Sequence, residues 1–327
     1  MTAISYHGTV NDLQGLALSG KGPFARVQWF SLLENGANKP ILATARDGAR
    51  VVCLPLTKSA TGLEVLTNWY AFTWQPLVAG EPRPSLMESL ARDLATRTHR
   101  IDLAKLPDED GTASQLEQAF RKAGWAVRRE ECDTNHVLVC AGLNYADYLA
   151  SRPGPLRTTL KRKAKKVEIT LKRQFEAADW AAYEDIYRQS WKPEEGDPAL
   201  LRAFAEAESD AGRFLFGMAM AQGKPVAAQF WTVDHGTAYI HKLAHLESAH
   251  RLSPGTTLTA ALFAEVLDRD HVHLVDFGTG NDGYKADWME SARPRFHLTC
   301  LRRSDMRNWP LMGRWALRTL VSAAPAG

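Results

Sequence analysis

The 327-residue sequence has few cysteines, no long apolar run and little excess charge. No C-x-x-C pair occurs, which argues against a zinc finger or ribbon, and we expect no metal site. No stretch of about 18 apolar residues is present, so no transmembrane helix is predicted. The first twenty residues lack the basic and apolar regions of a signal peptide, so we expect a cytoplasmic protein. A net charge of +3 is too small to indicate a nucleic-acid partner. The four cysteines are Cys53, Cys132, Cys140 and Cys300.

The first half of the chain predicts a helix, three antiparallel strands, a helix, a strand, a helix and two strands. The three strands are ILATARD, ARVVCLPL and LEVLTN, and Gly48 and Gly62 lie at the turns between them. The following helix is indicated by Leu86, Leu90 and Leu94, which recur every four residues. The last two strands of this half are WAVRREEC and HVLVC.

The second half nearly repeats this order of elements. Three strands, RFLFGMAMAQ, KPVAAQFWTVD and TAYIHKLAHL, precede the helix GTTLTAALFAEVLDR and the strand VHLVDFG. The sequence therefore predicts an α/β (α+β) protein with two domains, each a mixed, mostly antiparallel sheet flanked by helices. We place the domains at residues 1–142 and 143–327, because glycine and proline cluster in the linker CAGLNYADYLASRPGP.

The stretch VDFGTGNDGYKADWM contains two overlapping signatures. Asp276, Phe277 and Gly278 spell the metal-binding tripeptide of protein kinases, but a kinase also needs a glycine-rich loop and a catalytic loop upstream. Gly278, Gly280 and Gly283 spell the dinucleotide fingerprint after a predicted strand. A dinucleotide fold needs further βαβ units, and the upstream strands are joined by tight turns.

A third interpretation fits the stretch better. Asp-Phe-Gly-x-Gly followed by Tyr-Lys and a Trp resembles the hallmark of a bacterial GNAT acyltransferase family associated with cellulose and exopolysaccharide biosynthesis. Two further elements of that family occur upstream in order: a Ser-Pro-Gly that opens a helix, and the Leu- and Arg/Lys-rich helix in GPLRTTLKRKAKK. The repeated order of elements also resembles the tandem GNAT domains of Fem-type transferases. The matched residues are Asp276, Phe277, Gly278, Gly280, Tyr284, Lys285 and Trp288.

The resemblance implies that the stretch HRLSPGTTL holds the acyl donor. Ser253 suits a helix N-cap and Pro254 suits the first turn, so the next three amides are expected to be unpaired and to form an anion site. In GNAT proteins the matching loop binds the pyrophosphate of coenzyme A. The single glycine preceded by proline departs from the usual GNAT pattern, and an ordinary capped helix is the alternative. The donor-binding candidates are Arg251, Ser253, Gly255, Thr256 and Thr257.

Catalytic candidates follow from the same resemblance and from side-chain chemistry. A tyrosine after the fifth strand of GNAT enzymes often protonates the departing thiolate, which implies that role for Tyr284. Lys285 could pair with a phosphate or a carboxylate of the substrate, or both residues could be structural. A general base is also needed, and strict alternation would place three candidates on one face of a strand. The candidates are His241, His245 and Glu247, with Asp276 as a fourth.

Two stretches could bind the acceptor. Eight basic residues lie within the seventeen positions from Arg157 to Arg173, Lys161 among them, with one acid. This basic helix could meet an anionic glycan, a nucleotide- or lipid-linked sugar, a membrane or RNA, or be a solvated face. The first domain has no phosphate loop, but Trp69, Tyr70 and Trp74 form an aromatic stretch that could close over an acceptor or pack as a structural loop.

The sequence thus predicts an acyltransferase that moves an acetyl or other acyl group from acyl-coenzyme A, bound by the second domain, to an amine or hydroxyl. We expect a polar, sugar-containing or anionic acceptor, related to the cell envelope or exopolysaccharide. Two alternatives remain. One is a Fem-type transferase that uses aminoacyl-tRNA, and the other is a non-catalytic binding protein with the same fold.

Overall fold

The structure is a computed structural model that describes residues 2–34, 39–81, 84–280 and 283–322. Among the described helices, none is long and apolar enough to cross a membrane. The strands are Ala3–His7 (β1), Pro40–Asp47 (β2), Arg50–Ser59 (β3), Gly62–Val65 (β4), Leu77–Ala79 (β5), Arg100–Leu106 (β6), Trp125–Val139 (β7), Glu168–Lys172 (β8), Phe214–Ala221 (β9), Lys224–Asp234 (β10), Thr237–His245 (β11), Leu274–Thr279 (β12) and Ser291–Arg302 (β13). The helices are Val27–Glu34 (α1), Pro84–Leu94 (α2), Thr112–Lys122 (α3), Tyr145–Ser151 (α4), Gly154–Lys163 (α5), Ala177–Arg188 (α6), Pro198–Asp210 (α7), Pro254–Ala264 (α8) and Trp309–Ser322 (α9).

The chain divides into two compact units. Unit 1 comprises Met1–Asp133 and Pro294–Gly327, and unit 2 comprises Thr134–Arg293. The C-terminal segment, which we expected in the second domain, groups with unit 1 because β13 pairs with β6 there. β7 is a single strand where two were predicted, and its second part, which follows the unit boundary, pairs with β12 in unit 2.

Unit 1 contains a mixed, mostly antiparallel sheet. Strands β1, β2, β3 and β4 are antiparallel neighbours, β4 and β6 are parallel, and β13 pairs antiparallel with β6. The short strand β5 pairs with β3. Neither β1 nor β5 was predicted from the sequence. Both are short, so their side-chain alternation is too brief to stand out.

Unit 2 repeats the same strand order. Strands β8, β9, β10 and β11 are antiparallel neighbours, β11 and β12 are parallel, and the end of β7 pairs antiparallel with β12. The mixed, mostly antiparallel α/β fold predicted from the sequence is therefore confirmed. The repetition lies in the topology, since the two halves show no clear similarity of residues.

The core of unit 2 forms where α8 packs against its sheet. Leu258, Leu262 and Phe263 of α8 are fully buried beside apolar residues of β9, β10 and β11. Gly217 of β9 permits this close approach, because an added Cβ would lie 2.8 Å from Cδ1 of Leu258. The start of α8 is thereby held close to the sheet, and a single π-helical turn, Glu265–Arg269, extends its far end.

Candidate functional site

Strands β11 and β12 separate after a short parallel contact. Only three residue pairs join them in the described chain, from Thr237 with Leu274 to Tyr239 with Asp276. Beyond this point β11 continues along β10 to His245, whereas β12 stays paired with β7 as far as Thr279, which pairs with Asn135. Among the described residues, β11 has no pairing with β12 beyond Tyr239, so an extended ligand could lie in the opening.

A pocket of about 630 Å³ lies beside this opening. It is bounded by the end of β11, the start of α8 and the 3-10 helix Gly283–Asp287 that follows β12. The volume is within the range of sites for small organic ligands. All of its lining residues belong to unit 2. They are Leu156, Trp191, Leu243, His245, Glu247, His250, Gly255, Thr256, Thr259, Tyr284, Asp287 and Trp288.

The start of α8 forms one wall of the pocket. Gly255 is buried and Thr256 is half-buried, and both face the cavity. Because they occupy the first helical turn, their amides have no partner within the helix. Thr257 differs from the prediction, since its amide donates to the carbonyl oxygen of Ser253 at 3.1 Å. Of the three amides predicted to bind an anion, that of Thr257 is therefore used within the helix, and the prediction stays open for those of Gly255 and Thr256.

Ser253 precedes α8, but its hydroxyl does not cap the helix. Its backbone is left-handed, with φ of 50° and ψ of 49°, instead of the extended conformation that a capping serine adopts. Its Oγ instead accepts a hydrogen bond from Nζ of Lys163 at 3.0 Å. The predicted capping role was wrong. Arg251 is exposed in the preceding 3-10 helix and does not line the pocket.

Buried polar contacts support the first turn of α8. Nε2 of Gln229, on β10, donates to the carbonyl oxygen of Gly255 at 3.2 Å and to Oγ1 of Thr259 at 2.6 Å. Its Oε1 accepts from Nε1 of Trp231 at 2.9 Å. Sequence reasoning missed Gln229, although an amide inside an otherwise apolar strand was an available signal.

Gly255 leaves space for a ligand in the pocket because it has no side chain. An added Cβ at this position would lie 3.2 Å from Cδ2 of His245, closer than most such contacts. The pocket keeps its depth at this point because the residue has no side chain. The amides of Gly255 and Thr256, in the first turn of α8, are the groups that could donate to a phosphate at this point.

His245 lies at the end of β11 and is half-buried. Its Nδ1 is 3.2 Å from the carbonyl oxygen of Leu246, which can only accept, so this contact favours a proton on Nδ1 and leaves the lone pair on Nε2. Burial lowers the pKa of His245 below its usual 6.5, and the neighbouring His250 acts in the same direction. The imidazole is thus neutral near pH 7 and can accept a proton.

His241 does not join His245 on one face of the strand. A β-bulge interrupts the pairing of β10 with β11: Phe230 pairs with Lys242 and Trp231 pairs with Ile240, so His241 is the extra residue. Its Nε2 is 2.8 Å from Oγ1 of Thr232, and its ring packs on Phe230. The expectation from strict alternation was wrong, and His241 does not line the pocket.

Tyr284 lines the pocket and is 40% exposed. Its ring packs edge-on against Phe277, with centroids 5.7 Å apart. Lys285 turns the other way: it is buried, and its Nζ donates to the carbonyl oxygen of Thr279. Tyr284 therefore faces the pocket, whereas the side chain of Lys285 lies in the interior and stabilises the turn after β12.

Asp276 is buried and also organises this turn. Its Oδ1 accepts from the amide of Gly278 at 2.8 Å, and its carboxylate accepts from Nδ2 of Asn135 at 3.0 and 3.2 Å. Gly278 has φ of 66°, a left-handed conformation that favours glycine. The Asp-Phe-Gly sequence thus builds the end of β12, and Asp276 does not line the pocket.

Trp191 lies over His245, with ring centroids 4.2 Å apart, and is 48% exposed. It belongs to the loop between α6 and α7, which a buried ion pair fixes to β11: Nζ of Lys242 is 2.7 Å from Oε1 of Glu195. Sequence reasoning missed Trp191, since its place depends on how this loop packs. A tryptophan in the proline- and acid-rich stretch SWKPEEGDP was the available signal.

The predicted acceptor residues are distributed over both units. Arg157 and Lys161 are exposed on α5, whereas Leu156 of the same helix lines the pocket.

The aromatic stretch lies in unit 1, where Trp69 is 64% exposed, Tyr70 is half-buried and Trp74 is 1% exposed. Trp74 is therefore a core residue, as the alternative of a packed structural loop expects, and is not available to contact an acceptor. In the part of the chain that the structure describes, no group of three His, Cys, Asp or Glu residues could hold a metal ion.

Comparisons with known proteins identify one matching family profile and several structures with a similar fold. Residues 155–286 match a family profile described as an acetyltransferase (GNAT) domain. A comparison with curated proteins finds no significant match. Among solved structures, FemX has a TM-score of 0.63 at 10% identity, over 90% of this chain and 96% of that one.

Two further solved structures share the fold. The C-terminal DUF2156 domain assigned to a lysylphosphatidylglycerol synthetase from Agrobacterium fabrum has a TM-score of 0.58 at 11% identity, over 94% of this chain and 95% of that one. A tandem GNAT protein from the clavulanic acid biosynthesis pathway has a TM-score of 0.52 at 15% identity, over 93% and 100%. Residues 155–286 thus match the profile of an acetyltransferase (GNAT) domain, in a chain whose fold is similar to those of a tandem GNAT protein and of FemX.

Proposed function

We propose that the protein transfers an acetyl or other acyl group from acyl-coenzyme A to an amine or hydroxyl of a polar acceptor, in the pocket of unit 2. One observation carries the proposal: the end of β11, the glycine-bearing start of α8 and Tyr284, which follows β12, all border one cavity. Unit 1 serves as a domain without a donor site. The fold similarity is consistent with this activity and does not by itself identify the substrate.

The donor is held at the start of α8. The amides of Gly255 and Thr256 bind phosphate oxygens, and the partial positive charge of the helix terminus adds to their attraction. Lys163, which contacts Ser253 at the same terminus, contributes a full positive charge. The extended part of the donor lies along the second half of β11, where the strand has no β12 neighbour among the described residues.

The transfer uses His245 and Tyr284 as a base and an acid. His245 takes a proton from the attacking amine or hydroxyl as its nitrogen or oxygen forms a bond to the acyl carbon. The carbon–sulfur bond breaks, and Tyr284 donates a proton to the leaving sulfur. Trp191 covers His245 and limits its access to water. Asp276, His241 and Lys285 act as structural residues in this proposal.

The acceptor is a sugar-containing or anionic molecule of the cell envelope or an exopolysaccharide. The exposed basic residues of α5, including Arg157 and Lys161, support an anionic acceptor because Leu156 of that helix already reaches the pocket. The association with exopolysaccharide rests on the resemblance of the DFGTG…YK…W stretch. Trp69 and Tyr70 of unit 1 remain predicted contributors.

A second candidate is aminoacyl transfer from aminoacyl-tRNA. The fold similarities to FemX and to the domain assigned to a lysylphosphatidylglycerol synthetase favour it, as does the basic helix α5 beside α8. In this case the same pocket would hold the aminoacyl end of the RNA, and α5 would contact its phosphates. Purified protein would then carry RNA, whose release by salt can be followed by absorbance.

The test of the first candidate is a calorimetric titration with acetyl-coenzyme A. Wild-type protein should bind at one saturable site, and Gly255→Leu should weaken binding at least about tenfold, since the new side chain fills this space in the pocket. Gly8→Leu is the matched control, because space around Gly8 is open. Absence of binding to folded wild-type protein, or equal affinity of Gly255→Leu, would overturn the proposal.

A further inference from the structure

The C-terminal helix α9 of unit 1 and the 3-10 helix Met306–Asn308 before it expose large apolar side chains. Met306, Trp309 and Leu317 are 71%, 55% and 64% exposed, and they are three of seven exposed large hydrophobic residues in the described chain. Scattered single residues of this kind are normal, but three within twelve positions form a surface. We call Met306, Trp309 and Leu317, with the outward side of α9, the α9 surface.

Helical geometry places Trp309 and Leu317 on the side of α9 that faces solvent. Trp309, Gly313 and Leu317 recur every four residues and are all exposed. Leu311 and Trp315 lie on the opposite side and are half-buried. The helix therefore packs one apolar side against unit 1 and presents a second to solvent.

Arginines are frequent in α9 and in the segment before it. From position 302 to the end, the sequence contains five arginines and one acid, Asp305. Arg303, Arg307 and Arg314 are exposed. Apolar side chains flanked by arginines are typical of helices that lie in the headgroup region of a membrane.

A basic cleft of about 550 Å³ adjoins the α9 surface. Arg307 and Arg314 line it from the side of α9, and His99 and Arg100 line it from the start of β6. Arg100 donates two N–H groups to Asp102, and Arg307 donates two to Asp305. Each guanidinium has five N–H donors, so donors remain for a phosphate in the cleft.

We propose that the α9 surface and the adjoining cleft dock the protein on an anionic phospholipid bilayer. Trp309 and Leu317 enter the boundary between headgroups and acyl chains, and a lipid phosphate occupies the cleft beside Arg314. A second copy of the chain is a poorer occupant, because a two-fold contact between α9 helices would place their arginines opposite each other. This surface is separate from the pocket of unit 2 and does not depend on the activity proposed there.

The experiment is co-sedimentation of the full-length protein with vesicles. Binding is expected to vesicles of phosphatidylcholine with about 30% phosphatidylglycerol and not to pure phosphatidylcholine. Leu317→Glu and Arg314→Glu should each lower the partition coefficient by about tenfold, because one removes apolar contact and the other reverses a charge near the surface. Val139→Ser, which removes an exposed apolar side chain of unit 2, should bind as the wild type does.

Lys224→Glu is the second control, since it reverses an exposed charge at the start of β10 in unit 2. An equal loss of binding in Lys224→Glu and Arg314→Glu would show attraction by overall charge and overturn the proposal. So would unchanged binding of folded Leu317→Glu. A wild-type dimer that Leu317→Glu converts to a monomer, with no vesicle binding, would instead identify the surface as a self-interface and contradict the membrane proposal.

Discussion

Nζ of Lys163 lies 3.0 Å from Oγ of Ser253, so the last turn of the basic helix α5 contacts the start of α8. The two elements are separated by ninety positions in the sequence. This contact brings a positive charge to the helix terminus whose amides line the pocket. Lys163 is half-buried, whereas Lys161 on the same helix is exposed.

Lys163→Gln should weaken binding of acetyl-coenzyme A by about three- to tenfold, the range expected for loss of one partly screened charge contact. Lys161→Gln is the matched control and should change affinity little. Calorimetry at low and high salt provides the measurement, and the effect of Lys163→Gln should shrink as salt screens the charge. Equal effects of the two substitutions would refute a specific role for Lys163.

Tyr284→Phe should lower the turnover number by about 10²–10⁴-fold while the affinity for acetyl-coenzyme A stays the same. The phenyl ring keeps its packing on Phe277, so only the hydroxyl proton is lost. Tyr145→Phe, outside the pocket, is the control. The role of Tyr284 as the acid would be excluded by a variant with full activity.

The fall of kcat/KM at low pH, the acid limb of the pH–rate profile, should follow the protonation of His245. Burial lowers the pKa of this group, so kcat/KM should fall as pH decreases through a value below 6.5 and stay level above it. His245→Gln should remove this limb and slow the reaction by about 10²-fold or more. His235→Gln changes an exposed histidine and should keep the limb. A limb that persists in His245→Gln would assign the titration to another group.

The buried Lys242–Glu195 ion pair should contribute to the free energy of unfolding. Their side chains are 8% and 10% exposed, and removal of one buried partner leaves the other charge uncompensated, which costs about 3–5 kcal/mol. Lys242→Met should therefore lower the free energy of unfolding by about this amount, and Lys242→Met with Glu195→Leu should recover most of it. Urea unfolding measures both.

Lys172→Met is the control for that prediction. Lys172 pairs with Glu176 at 2.7 Å and with Asp179 at 2.5 Å, but the three side chains are 30%, 55% and 23% exposed, so the loss should be about 1 kcal/mol. A Lys242→Met variant that is no less stable than Lys172→Met would show that the loop carrying Trp191 does not depend on the buried pair.

The elements of the fold could be predicted from local patterns. Strands β9, β10 and β11 are apolar runs with two-residue turns at Gly223 and Gly236, and these turns can only join antiparallel neighbours. β7 was predicted as two strands because the polar residues 130–135 interrupt its apolar pattern. The return of β13 to unit 1 could not be predicted, since it depends on a pairing with β6 nearly 200 positions away.

The site could be predicted only in part. Gly255, Thr256 and Tyr284 lie at the pocket because a helix start and a strand end are local features. His241 was misplaced because alternation cannot reveal a bulge, which depends on how β10 pairs with its neighbour. Trp191 was missed because tertiary contacts alone bring it to the site.

A crystal structure of the protein with coenzyme A bound tests the central claim most directly. The account predicts phosphate oxygens at the amides of Gly255 and Thr256, the pantetheine arm along the second half of β11, and the thiol within hydrogen-bond reach of the Tyr284 hydroxyl. Coenzyme A bound away from this pocket, or no bound coenzyme A at saturating concentration, would contradict it.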